Sequence, residues 1–144
     1  MASYNGINDW LANMMENADC DSDQFVVALS NTAPGAEGTD PTGDGDGVLA
    51  NVTQVSYANC SSRNLTTASS AQTGGTFTLD FNNLTLTASG GTVGPFRYVY
   101  VYDDTVTVPA DPLVCYFDYG SSITLADGET LDITINASGL FTIS

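Results

Sequence analysis

Residues 96–104 read FRYVYVYDD, and the fold turns on this stretch. Strict alternation would place Phe96, Tyr98, Tyr100 and Tyr102 on one face of a strand and Arg97, Val99 and Val101 on the other. Large apolar side chains on both faces predict a central strand that is covered on each side. The run then stops on Asp103 and Asp104. Paired carboxylates hydrolyse glycosidic bonds only when they flank a bound sugar. Consecutive strand residues point to opposite faces, so this pair cannot act together in that way. The two aspartates read as the turn that ends a core strand.

Outward from this strand the chain keeps a period of two. QFVVALS is a short apolar strand, and TFTLDF puts Phe77, Leu79 and Phe81 on one face. LTLTA continues with Leu84 and Leu86; Asn82-Asn83 between them suits either a tight turn or a bulge in one continuous strand. LVCYFDYG is another two-sided strand. In ITLADGETLDITIN an Asp127-Gly128 turn precedes Leu131, Ile133 and Ile135, which alternate with polar residues. VLANVTQVSYA predicts a strand or strand pair, whereas the small, polar CSSRNLTTASSAQTGG predicts irregular chain. Residues 31–47, with two prolines and five glycines, predict a long exposed loop. The expected fold class is all-β: an antiparallel β-sandwich, jelly-roll-like, of seven to nine short strands. A short N-terminal helix precedes it, capped by Asn8 or Asp9 in NDWLANMMEN. The expected division is a helix and arm over 1–24 and the sandwich over 25–144.

Composition excludes several functions. The 144 residues carry 17 acids and two bases, Arg63 and Arg97, for a net charge of −15, with no lysine and no histidine. Such a chain repels nucleic acid and anionic membranes, which bind through Lys and Arg. No run approaches the roughly 18 apolar residues of a membrane span. MASYNGINDW lacks the basic and apolar regions of a signal peptide, so the five Asn-x-Ser/Thr sequons are expected to stay unmodified. Cys20, Cys60 and Cys115 fit neither a disulfide framework nor a zinc spacing. Without His and Lys, the Ser-His-Asp, Cys-His and lysine nucleophile systems are unavailable. GGTVG is a turn, not a phosphate-cradling loop before a helix. No catalytic residue, enzyme activity or cofactor is expected.

Two features invite a ligand or partner. In DPTGDGDG (40–47), Asp40, Thr42 and Asp44 have the alternate spacing of an oxygen-ligand loop with Gly45 at its turn, but position twelve is Asn51 instead of a bidentate Glu. Asp40, Asp44 and Asp46 are thus a weak calcium candidate, the simpler reading being a solvated loop. The N-terminal helix carries Trp10, Leu11, Met14 and Met15, which suit either a partner's groove or the open end of the sandwich. The strand tyrosines fit packing better than an exposed sugar-stacking platform.

Several phrases, in order, resemble a family of virion structural proteins of tailed bacteriophages. DSDQFVVALSNTAP resembles the family's opening turn and "tFkvaL" strand. VLANVTQVS is similar to its "l.dvteis" segment, and FNNLTLTASGGTVGPFRYVYVYDD to its "tWtAs…ryavlYdd" block. PLVCYFDYGSSITLADGETLDITINASGLFTI resembles its "pligyfdfGs" ending. The similarity spans about residues 22–144; Leu84 or Leu86 stands where the family has Trp, and Arg97-Tyr98 matches its basic-aromatic pair. The resemblance implies a jelly-roll sandwich and a capsid decoration (cement) protein. Such a protein, made in the host cytoplasm, would sit on the virion's capsid surface as a small homo-oligomer such as a trimer, docked on the major capsid protein across capsomer boundaries. A tail or tail-fibre component, or a carbohydrate-binding adhesive module, is the alternative.

Overall fold

A computed structural model describes residues 2–36 and 38–144 of the chain. Its elements are β1 (Ser3–Gly6), α1 (Asp9–Glu16), β2 (Phe25–Ser30), β3 (Thr67–Thr73), β4 (Thr76–Phe81), β5 (Leu84–Thr87), β6 (Val93–Asp103), β7 (Leu113–Leu125), β8 (Thr130–Ile133) and β9 (Phe141–Ile143). The protein is mostly β with one short α-helix, and every strand pair is antiparallel. A four-stranded sheet runs β1-β7-β6-β2, a three-stranded sheet β3-β4-β9, and β5 pairs with β8.

Strand β6 holds the FRYVYVYDD stretch and sits inside the four-stranded sheet, between β7 and β2. Both its faces are buried, as its sequence predicts. Val99 and Val101 face a main core shared with Phe25, Val27 and Leu29 of β2 and with Leu79, Phe81, Leu86 and Ile133 of the smaller sheets. Tyr98, Tyr100 and Tyr102 face a second core with Ile7, Val26, Ala28, Val52 and Leu113.

Phe96 departs from the expected alternation and lies in the main core, with the valines. The ladder to β7 accounts for this: Tyr98 pairs with Asp118 but Phe96 pairs with Ile123, so the register slips between them. An irregularity of this kind changes which face a side chain meets. A second slip sets Val101 opposite Cys115 and Tyr102 opposite Leu113, leaving Val114 as the extra residue. Val114 and Cys115 then both enter the main core.

In the segment between β2 and β3, Leu49 and Val52 pack on the tyrosine face, while Val55, Tyr57 and Leu65 join the main core. VLANVTQVSYA is not a strand: Leu49–Asn51 form a 3₁₀ turn, and irregular chain follows. The backbone bonds of this segment go to the outer edge of β2. Val55 N donates to Leu29 O at 2.9 Å, Leu65 N to Phe25 O at 2.9 Å, and Val27 N to Arg63 O at 2.9 Å. The free polar groups of an edge strand are thereby satisfied without a regular ladder. Arg63 secures the arrangement, with Nη1 donating to Val27 O and its guanidinium 3.7 Å from the Tyr57 ring centroid. The Tyr57 hydroxyl in turn accepts from Leu29 N at 2.8 Å.

Two further expectations are revised. The polar TASSAQT forms β3, because a solvent-facing strand needs backbone pairing more than apolar side chains, and β4 supplies that pairing. Asn82-Asn83 is neither a hairpin turn nor a bulge in one strand, since β4 pairs with β3 and β9 while β5 pairs with β8. The two asparagines carry the chain from one sheet to another, and Asn83 Oδ1 accepts from Ile135 N at 2.9 Å.

Residues 2–24 are built into the same body. Ile7 N donates to Val114 O at 3.1 Å, and Ile7 joins the second core. Trp10 is 4% exposed in the main core, its ring 5.9 Å from Phe25 and 6.4 Å from Phe141, both edge-on. The helix is too short to persist alone; burial of Trp10 anchors it. Trp10→Ala should cost about 3–5 kcal/mol in urea denaturation, and removing residues 1–18 should destabilise the whole sheet. Unchanged unfolding midpoints would show the arm to be dispensable.

Candidate interaction surface

The four apolar residues of α1 divide between core and solvent. Trp10 and Asn13 are buried and Met14 packs on the main core, whereas Leu11 is 60% and Met15 80% exposed. Residues four apart share a helix face, so Leu11 and Met15 form one outward pair on a helix whose opposite face is fixed. Of the expected interface residues, Trp10 and Met14 therefore position the helix, and Leu11 and Met15 remain available for contact.

Asn8 precedes the helix without making a side-chain cap. Asp9 bonds instead with the distant acidic loop: Oδ1 accepts from Gly45 N at 3.0 Å and Oδ2 from Gly47 N at 2.9 Å. Gly47 is needed for this approach, because a Cβ there would lie 2.8 Å from Ile7 Cγ2. Nothing in the local sequence signals the contact, since 36 and 38 residues separate the partners.

The loop is thus a docked series of turns. Asp40 Oδ1 accepts from Thr42 N at 2.9 Å and from Thr42 Oγ1 at 2.8 Å, and these bonds hold its carboxyl below the ordinary aspartate range. Asp44 is exposed, and the Asp46 carbonyl accepts from Asn51 Nδ2 at 2.8 Å. Asp40, Asp44 and Asp46 are not gathered into one ligand set: among the described residues, no three His, Cys, Asp or Glu side chains converge to hold a metal ion.

At the end of β6, Asp103 and Asp104 part company. Asp103 is fully buried, with Oδ1 accepting from Thr105 N at 2.9 Å and Val106 N at 3.3 Å. Asp104 is exposed, and its N–H donates to Gln24 O at 2.9 Å. The first closes a turn and the second faces solvent, which is the separation that strand geometry requires. The tyrosines of β6 lie in the second core with Leu49 and Val52, and the more exposed Tyr4 and Tyr119 are only 44% and 49% accessible.

The charge of the part of the chain that carries α1 is one-sided. Residues 1–62 hold nine acids and no base. Both arginines are engaged elsewhere. Arg97 forms a two-pronged pair with Asp118, Nε to Oδ1 at 2.7 Å and Nη2 to Oδ2 at 2.8 Å. That guanidinium holds the Asp118 carboxyl below its usual range. Arg63 lies over Tyr57.

Asp9→Ala should free the 40–47 loop at a cost of about 1–3 kcal/mol, with faster amide exchange at Gly45 and Gly47; unaltered exchange there would remove Asp9 as the anchor. No family model, no curated protein and no solved structure matches this chain.

Proposed function

We propose that the chain is a non-catalytic capsid decoration protein of a tailed bacteriophage, bound to the outside of the major capsid shell and stabilising it by contacts across capsomer boundaries. The observation that carries the reading is the Leu11–Met15 pair, an exposed apolar contact on a helix whose other face is locked into the core. Presenting an anchor in one fixed geometry lowers the ordering cost of binding. The sequence resemblance supports the placement in a virion, and the fold is compatible with it: the smaller sheets share one core with the four-stranded sheet, as the layers of a jelly-roll sandwich would.

A protein that binds only the assembled shell stabilises that form by mass action. The acidity of the part of the chain that carries α1 fits a basic face on the shell, and opposes direct contact between the same faces of two copies. A small ring of copies, such as a trimer, would therefore place these faces toward the shell. The alternatives, a tail component or a carbohydrate-binding module, rest on the same β-rich body; the burial of the β6 tyrosines gives the sugar reading less to work with.

The double change Leu11→Glu with Met15→Glu tests the contact. Both side chains are largely exposed, so unfolding should be unaltered while occupancy on purified shells falls at least tenfold, about 1.4 kcal/mol. Undiminished occupancy would place the contact elsewhere, and occupancy of tails alone would replace the shell as the partner.

A further inference from the structure

The end of β6 holds a carboxylate whose charge no group among the described residues balances. Asp103 is 0% exposed. Its Oδ1 accepts two backbone N–H groups of the following turn, but Oδ2 is buried without a hydrogen-bond donor. An unpaired charge in such a place is costly. No lysine or histidine exists in the chain, and its two arginines are held by Asp118 and by Val27 O over Tyr57. The side chain that meets Asp103 is another acid, Asp23. Asp23 belongs to the segment joining α1 to β2, and its Oδ2 already accepts from Asp19 N at 2.7 Å.

Two carboxylates offer each other only acceptors. A single proton changes that, because a neutral carboxyl donates its O–H to the remaining carboxylate. We propose that a protonated Asp103 donates its O–H to the Asp23 side chain as a carboxyl–carboxylate latch, which ties the segment after α1 to the end of the central strand and releases it when Asp103 loses its proton.

The surroundings agree. Burial, followed by the repulsion of Asp23, raises the Asp103 carboxyl from 3.8 to about 6, against the pull of the Thr105 and Val106 amides. Cys20, from the same segment as Asp23, is pushed up to about 11 by burial first and then by Asp103, Asp23 and Asp19. The groups facing the latch are therefore acids and a neutral thiol. β2 contributes Phe25, the register partner of Asp103, and the 105–106 turn contributes amides. A cleft of about 280 Å³ lined by Asn17, Asp23 and residues 105–108 opens on the Asp23 side of the pair. An acid that binds its proton more tightly in the folded state stabilises the fold while protonated. Stability from this pair is then full below pH 3.8, declines as pH rises toward about 6, and is lost above that.

Amide exchange from pH 4.5 to 8 in the presence of EDTA tests the latch. Corrected for intrinsic rates, protection at residues 19–24 and 104–106 should fall at least tenfold across a midpoint near 6. Asp23→Asn supplies a permanent N–H donor and should hold protection constant across the range; Asp103→Asn should do the same, and Asp104→Asn should leave the midpoint in place. A flat profile in the unaltered protein, or an unchanged midpoint in Asp23→Asn, would overturn the proposal. Recovery of protection at pH 8 on adding calcium would overturn it too, by making the shared charge a metal cation.

Discussion

The structure depends on burying both faces of β6. A strand with valines on one side and tyrosines on the other cannot be half-solvated, so the chain must supply two covers. The smaller sheets supply one. The other comes from residues with little regular structure of their own, the stretch between β2 and β3, whose Leu49 and Val52 reach down onto the tyrosines. The two covers differ in kind: one is a layer of strands, and the other is chain fastened by individual bonds to the edge of β2, with Arg63 and Tyr57 at the fastening. At the N-terminal end Ile7 joins one core and Trp10 the other, so the arm belongs to both.

Period-two patterning made most strands legible, because in TFTLDF and in the valines and tyrosines of β6 the side chains that alternate in sequence also alternate between environments. It failed where backbone pairing, not side-chain burial, decides the state. TASSAQT has nothing to bury and is a strand; VLANVTQVSYA has plenty and is not, its Leu49 and Val52 packing on the tyrosine face and its Val55 and Tyr57 on the main core. Nor can alternation anticipate a register slip, and so it puts Phe96 on the face opposite to the one it occupies. The helix was legible, but its division into buried and exposed residues depends on which way it is rolled against the sheet. The Asp9 contact to Gly45 and Gly47 had no local signal at all.

Scarcity of positive charge shapes this molecule as much as its apolar pattern does. With two arginines for 17 acids, most carboxylates face water or accept backbone and hydroxyl donors, as Asp9 and Asp40 do. The only ion pair among the described residues joins Arg97 and Asp118 across β6 and β7, and it is partly exposed. Such a pair contributes little by itself, so cohesion falls to packing and to the backbone. Asp103 is the place where that economy leaves an acid in the interior.

The fastening along β2 has a consequence for how copies can meet. A sheet grows into a filament only by adding strands at two complementary edges, one on each side. Here one side of the four-stranded sheet is closed by the protein's own chain, and the other ends in β1, only four residues long. Strand addition to this sheet could join two copies through β1 and then would stop, so the sheet is built to resist open-ended polymerisation even at high local concentration.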